Sequence, residues 1–310
     1  MNYKDIINSS DLNKQLYNKN EEFPPAVIVG TTEYCNLKCN YCGHSRMTRK
    51  KGVMSIPLYK KIINEIAVKN SYTDLWMVYY GEALMLKYKM VYMIQYAKKQ
   101  GLKNVFMNTN GILLDTDLSE AIIDSGLDKI IFSLDAYYEE TYKKIRNNDN
   151  FELVKKNIKD FIEIKKRLNS DIKVEIQLIE IPGLHKKGEI ELFEEYWGKF
   201  DVVTKRKEYL TWTGVIEIDG IRHKNRYPCS WLFRTFVITY DGKVNQCGCD
   251  YDCKAITGDL KEDTIENIWQ TTLKRTRELH LEERYNETSI CEQCKDWDSY
   301  EIMPFLKLRK

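Results

Sequence analysis

Cys35, Cys39 and Cys42 lie within eight residues at the spacing C-x3-C-x2-C, directly after an apolar run. Three thiolates converging from one loop form a soft, anionic nest, which suits an iron-sulfur cluster or zinc rather than magnesium or calcium. A closed structural zinc site or an ordinary electron-transfer cluster takes four protein ligands, so three leave one metal position open to another molecule. His44, two residues after Cys42, could supply a fourth ligand and close a zinc site. Covalent haem attachment is excluded, because Gly43 separates Cys42 from His44 where Cys-x-x-Cys-His is needed. Nine cysteines is an odd count for a disulfide framework, and residues 1 to 25 contain no apolar signal region.

Six more cysteines follow towards the C-terminus: Cys229, Cys247, Cys249, Cys253, Cys291 and Cys294. Phe233 to Gln246 reads as a hairpin turning at Asp241-Gly242, which brings Cys229 and Cys247 towards each other across its open end. Cys291-Glu292-Gln293-Cys294 adds a C-x2-C chelate after a helix expected at about Thr264 to Leu281. Four thiolates suit zinc and a cluster equally. Cys249 and Cys253 are left over, as buried small residues or alternative ligands.

Alternating strands and helices must position the first loop. Ala26 to Thr31 (AVIVGT) reads as a buried strand delivering the cysteines at its C-terminal end. Further strands are expected at Leu75 to Tyr80, Asn104 to Asn108, Lys129 to Leu134, Lys173 to Ile179 and Phe200 to Thr204. Between them, helical spacing marks Pro57 to Val68, Leu84 to Gln100, Thr116 to Ser125, Phe151 to Leu168 and Ile190 to Trp197. Such alternation predicts parallel strands with right-handed crossovers, and six repeats suggest an open barrel where eight would close one.

In such an architecture ligands sit at the C-terminal strand ends. There the chain shows Tyr80-Gly81-Glu82-Ala83, then Asn108-Thr109-Asn110-Gly111, whose Asn-Gly pair is first of all a turn signal. Alternation in Ser133-Leu134-Asp135 puts Ser133 and Asp135 on one face pointing into the barrel, where both need partners. Arg146 ends a helical stretch, where its charge favours the helix dipole.

The 310 residues are enough for a full core, and 48 basic against 46 acidic residues leave a formal +2, which predicts neither nucleic-acid nor membrane attraction. No apolar run approaches the roughly 20 residues of a membrane span. A cytoplasmic protein is expected. The division expected is an N-terminal arm over 1–25, the barrel over 26–205, a connecting segment over 206–228 and a cysteine-rich domain over 229–310. The arm is too short for a separate peptide-recognition domain.

Cys35, Cys39 and Cys42, with Tyr41 before the last of them, resemble the signature of the radical S-adenosylmethionine (radical SAM) superfamily. The resemblance implies a partial (β/α)6 TIM-like barrel, and a [4Fe-4S] cluster on these cysteines whose open iron is chelated by S-adenosylmethionine. It implies cofactor contacts from Tyr41, Gly81, Glu82, Asn108, Ser133 and Asp135, with Arg146 at the cofactor carboxylate. Gly81 and Glu82 match the family's Gly-Gly-Glu-Pro, whereas Tyr80 and Ala83 depart from it. Cys229-x12-Gly242-x4-Cys247 resembles the opening half of the SPASM auxiliary-cluster domain. Two further clusters would need about eight thiolates. With six available, the chain resembles the shorter twitch form, one auxiliary [4Fe-4S] cluster held by Cys229, Cys247, Cys291 and Cys294.

An auxiliary cluster near the substrate offers an exit for one electron, the chemistry of relatives that oxidise aminocyclitols. The expectation is therefore a radical SAM oxidoreductase acting on an alcohol of a small sugar or aminocyclitol, reduced by an external donor such as flavodoxin or ferredoxin. Asp250 is the candidate proton acceptor, with Glu217 and Arg222 as alternatives. Rival readings are a peptide-modifying radical SAM maturase and a non-enzymatic zinc-binding protein.

Overall fold

Apolar runs bounded by glycine, proline and capping residues fold as the periodicity predicts. In the computed structural model, which describes residues 22–213 and 226–298, the Ser55 hydroxyl accepts from Leu58 N to open helix α1 (Ile56–Lys69). Tyr59, Ile62, Ile63 and Ile66 give α1 its buried face. Helices α2 (Tyr88–Lys99), α3 (Thr116–Asp124), α4 (Glu139–Arg146), α5 (Phe151–Arg167) and α6 (Glu189–Trp197) are built likewise, each burying one apolar stripe.

Six strands alternate with them: β1 (Ala26–Val29), β2 (Asp74–Trp76), β3 (Asn104–Thr109), β4 (Lys129–Ser133), β5 (Lys173–Glu180) and β6 (Val203–Glu208). Each pairs in parallel with its sequence neighbour, so every connection is a crossover and all six C-terminal ends point one way. The result is the expected α/β architecture, an open (β/α)6 barrel.

Several elements differ from the sequence pattern: β2, expected at Leu75 to Tyr80, ends at Trp76, and α4 had no counterpart among the expected helices. The last strand was expected at Phe200 to Thr204, but Phe200 packs on α6, its ring 5.5 Å from that of Trp197, and the strand starts at Val203. Its charged sequence, VTKRKE, suits the sheet edge it occupies. The helix expected from Thr264 to Leu281 breaks at Thr271 into α7 (Ile265–Gln270) and α8 (Thr272–Leu281).

The C-terminal hairpin appears as β7 (Thr235–Ile238) and β8 (Lys243–Asn245), followed by β9 (Ile256–Asp259). Gly242, with φ +91°, makes its turn in a conformation that favours glycine. β7 pairs in parallel with β1, extending one sheet in the order β6-β5-β4-β3-β2-β1-β7-β8-β9. The apolar edge of β1 is thereby covered, and Phe236, Ile238 and Val244 enter the same core as the barrel. Two smaller apolar clusters remain, one around Leu37, Cys39, Tyr41, Ile145 and Ile181, the other around Tyr227, Leu232, Phe233, Cys249 and Trp297. The first takes in Cys35, Cys39 and Cys42, the second Cys229, Cys247 and Cys249.

Candidate functional site

The barrel encloses a cavity of about 640 Å³ whose walls include Cys35, Cys39, Cys42, Gly81, Ser133 and Arg146. Tyr41, Glu82 and Asn108 also line it. The cysteine loop is stapled on several sides. Asn110 Nδ2 donates to Asn36 Oδ1 at 2.8 Å, Asn40 N donates to Ile145 O at 3.1 Å, and Trp212 Nε1 donates to Tyr41 O at 2.6 Å. Burial pushes the Cys35 thiol up to about 11 and Cys42 to about 12. Thiols so placed need a cationic partner to ionise, and their softness fits iron. His44 takes no part in the cavity: its Nε2 lies 2.9 Å from Glu33 O.

Gly81 fits because it lacks a side chain, since a Cβ there would collide with the Thr32 carbonyl. Gly81→Ala is therefore expected to lower stability by about 1–3 kcal/mol and to shift the strand-end loop, read as a lower urea midpoint and weaker S-adenosylmethionine binding. An unchanged midpoint would show that the loop yields freely. Glu82 is a clamp rather than an open ligand. Its carboxylate accepts from Leu84 N at 2.9 Å, Thr109 Oγ1 at 2.7 Å and Asn110 N at 2.7 Å, fixing the loop after β2 to the end of β3. Burial raises its pKa, and these donors oppose the rise.

Asp135 corrects the expected pattern. The chain leaves β4 at Ser133 and Asp135 takes a left-handed conformation, φ +65°, so alternation ends and the side chain does not line the cavity. Its Oδ2 accepts from Tyr41 Oη at 2.7 Å and pairs with Arg146 Nη2 at 2.5 Å, while Oδ1 accepts from Ile179 N at 2.9 Å. Arg146 is thus held by a buried partner, not by solvent or a helix dipole. Its Nη1 reaches to 3.7 Å from Cys39 Sγ, and its buried Nε has no hydrogen-bond partner.

In the second set, the Cys229 thiol lies within electrostatic reach of Cys247 and Cys291, and Cys294 within reach of Cys247 and Cys229. Burial raises the pKa of Cys229, Cys291 and Cys294 alike. Cys249 joins them, fully buried, its N donating to Cys247 Sγ at 3.3 Å. Cys253 stands apart, beside Arg49, Asp250 and Glu33. Among the described residues, no three His, Cys, Asp or Glu side chains are drawn in around a single metal ion.

Asp250 does not line the cavity. Its Oδ2 accepts from Ala255 N at 3.0 Å, so the carboxylate is turned back onto its own loop, and this geometry removes it as the expected proton acceptor. Glu217 and Arg222 lie outside the described residues. The departure from Gly-Gly-Glu-Pro has a structural use: Tyr80 Oη donates to Gly248 O at 3.0 Å and, beside it, Tyr79 Oη to Asp250 O at 2.7 Å, tying the loop after β2 to the second cysteine loop.

Sequence reasoning missed several lining residues. Gln177 is a polar residue in the apolar run KVEIQLIE, the same signal that marked Ser133. Lys205 and Lys207 were hidden by the misplaced start of β6, and Trp212, with φ +53°, carried no local signal. Among the described residues no helix is long and apolar enough to cross a membrane.

Comparison with known proteins gives two family matches: the Radical SAM superfamily over residues 29–186, and an iron-sulfur cluster-binding domain, SPASM, over residues 229–295. A probable GTP 3',8-cyclase of Methanococcus maripaludis is 36% identical over 140 residues, which cover 44% of this chain and 45% of that protein. The matched stretch is thus less than half of that relative. Among solved structures, BtrN in complex with AdoMet and 2-DOIA superposes with a TM-score of 0.62 at 17% identity, covering 88% of this chain and 94% of that one. Streptococcus suis SuiB bound to precursor peptide SuiA gives 0.68 at 13% identity, covering 89% and 72%. At these identities the structures speak to the fold.

Proposed function

The chain belongs to the radical SAM superfamily and carries a SPASM iron-sulfur domain towards its C-terminus, and from that premise we propose an oxidoreductase that converts an alcohol of a small sugar or aminocyclitol to a carbonyl. Its cofactors are a [4Fe-4S] cluster, an auxiliary cluster and S-adenosylmethionine. We assign the first cluster to Cys35, Cys39 and Cys42, and the auxiliary one to Cys229, Cys247, Cys291 and Cys294, within a cysteine-rich unit that begins near residue 229. When bound, these groups supply a hydrogen-abstracting radical and a one-electron acceptor.

The observation that carries the reading is that one cavity has Cys35, Cys39 and Cys42 in its wall together with Trp231 and Gly248, which lie close in sequence to Cys229 and Cys247 of the auxiliary set. An alcohol gives up one hydrogen atom, one proton and one electron on becoming a carbonyl, and such an arrangement has a destination for each. Arg146, held by Asp135, presents fixed donors for a carboxylate, and Ser133 and Asn108 offer hydrogen bonds to hydroxyl groups. Tyr80 and Trp212, their rings 5.5 Å apart, wall the cavity against water. For the proton we assign Glu208, which lines the cavity at the C-terminal end of β6. The volume lies within the range of small-ligand sites, and cofactor and substrate together must fit it, which favours a small substrate over a peptide.

Anaerobic reconstitution is expected to give about eight irons per chain. With reductant, S-adenosylmethionine and a panel of cyclitols and sugars, the expected result is 5'-deoxyadenosine together with a carbonyl product. A rearranged product of unchanged mass from a nucleotide, or a modified peptide with no carbonyl from any polyol, would overturn the reading.

A further inference from the structure

Two hydrogen bonds and a ring contact join the two cysteine loops. Tyr80 Oη donates at 3.0 Å to the carbonyl of Gly248, which directly follows Cys247. The Tyr80 ring meets the Trp212 ring edge to face, their centroids 5.5 Å apart. Trp212 Nε1 in turn donates at 2.6 Å to the carbonyl of Tyr41, whose peptide leads into Cys42. A path of bonds and hydrogen bonds therefore runs from Cys247 to Cys42, interrupted only where one ring touches the other. Tyr80 is buried at its centre, within electrostatic reach of Cys42 on one side and of Cys247 and Cys249 on the other.

Holding the loops together does not by itself call for this pair. Tyr79 Oη donates to Asp250 O at 2.7 Å, Thr48 Oγ1 to Asp252 Oδ2 at 2.6 Å and Arg49 Nε to Tyr251 O at 2.8 Å, and these bonds already tie the second cysteine loop to the first part of the chain. Tyr80 and Trp212 differ from them in lining the cavity beside Cys35, Cys39 and Cys42. Electron tunnelling decays less steeply through bonds, hydrogen bonds and packed rings than through a solvent-filled gap. Tyr251 is the rival route: its ring packs on Gly43, where a Cβ would collide with it, and lies 6.2 Å from that of Tyr80, but it does not line the cavity.

We propose that Tyr80 and Trp212 form the route by which one electron passes between the auxiliary cluster and the first cluster. The auxiliary cluster is oxidised by one electron as the first is reduced by one; no bond forms or breaks, and both side chains end unchanged. An electron given up by the substrate thereby returns to the cluster that spends one in cleaving S-adenosylmethionine, and the external donor serves to prime the first turnover. This rests on the cluster assignments and the oxidation proposed above.

The test is rapid-freeze electron paramagnetic resonance of the reconstituted holoenzyme, without substrate or S-adenosylmethionine, after a flash-photoreduced deazaflavin delivers a substoichiometric pulse of electrons. The signals of the two clusters are expected to redistribute in a first-order phase whose rate is independent of protein concentration, as transfer within one chain requires. Tyr80→Leu and Trp212→Leu are each expected to lose that phase while keeping about eight irons per chain and the midpoint potentials of both clusters. A purely structural role would move iron content or potentials instead. Tyr251→Leu is expected to keep the phase. Should leucine lower the iron content or shift a potential, Tyr80→Phe and Trp212→Phe, which keep a ring and remove the hydrogen bonds, are expected to slow the phase. An undiminished phase in the Tyr80 and Trp212 variants, its loss in Tyr251→Leu alone, or redistribution only between chains in the unaltered enzyme would each overturn the proposal. Exchange is read without turnover. Exchange without a carbonyl product from any polyol would therefore sink the alcohol-oxidation reading alone, and carbonyl formation by an enzyme that lacks the phase would sink this one alone.

Discussion

Replacing Cys35, Cys39 and Cys42 together with alanine abolishes 5'-deoxyadenosine release and lowers the iron content from about eight to about four per chain. The residual iron belongs to the second cysteine set, of which Cys229 and Cys247 lie in a different apolar cluster from Cys35, Cys39 and Cys42, and which shares no ligand with the first. The reciprocal variant, with alanine at Cys229, Cys247, Cys291 and Cys294, also falls to about four irons. It keeps cleavage of S-adenosylmethionine but yields no carbonyl product, because the electron has lost its acceptor. Iron analysis, absorbance and chromatography of the nucleoside read all three quantities. Cleavage by the first variant would end the assignment of the N-terminal loop, and carbonyl formation by the second would end the role given to the auxiliary set.

Asp135→Ala is expected to destabilise the protein by about 3–5 kcal/mol, the cost of leaving a buried charge without its partner. Asp135 is fully buried and Arg146 is only 5% exposed, so water cannot replace the lost carboxylate. The Tyr41 hydroxyl loses its acceptor in the same step, which frees the cysteine loop at its centre. Urea denaturation measures the first effect, and S-adenosylmethionine titration is expected to show weaker binding from the second. Combining Asp135→Ala with Arg146→Met should recover much of the stability, since removing both charges of a buried pair is far less costly than removing one, without recovering cofactor binding. A destabilisation below about 1 kcal/mol would place the pair among exposed ion pairs in strength and remove the reason for assigning Asp135 a positioning role.

Cysteine spacing carried the metal chemistry without help from the fold, because three thiolates on one short loop must converge wherever that loop lies. The barrel was equally legible. Runs such as AVIV and KIIFS can only be buried strands, and helices such as Phe151–Arg167 show their apolar stripe at 3.6-residue spacing. Local pattern also located the ends of β3, β4 and β5 to within a residue, and so the side of the sheet on which a ligand would sit.

Tertiary structure decided which strand-end groups face the cavity. Asp135 leaves its expected face because Leu134 N and Asp135 N both donate to Gln177 O and His185 Nε2 lies 2.9 Å from Asp135 O, contacts with β5 and the loop after it. Asp250 looked like a free acid because its sequence says nothing of the turn that brings Ala255 N to its carboxylate. The pairing of Ala26 with Thr235 and the reach of Tyr80 to Gly248 join segments far apart in the chain, and these contacts bring Trp231 and Gly248 of the auxiliary segment to the cavity that holds the first cysteine set. Periodicity and spacing are local properties that a sequence displays directly, whereas such pairings are selected by the packing of the whole core. The sequence by itself therefore determined the chemistry and the barrel; the tertiary structure alone decided which residues meet inside it.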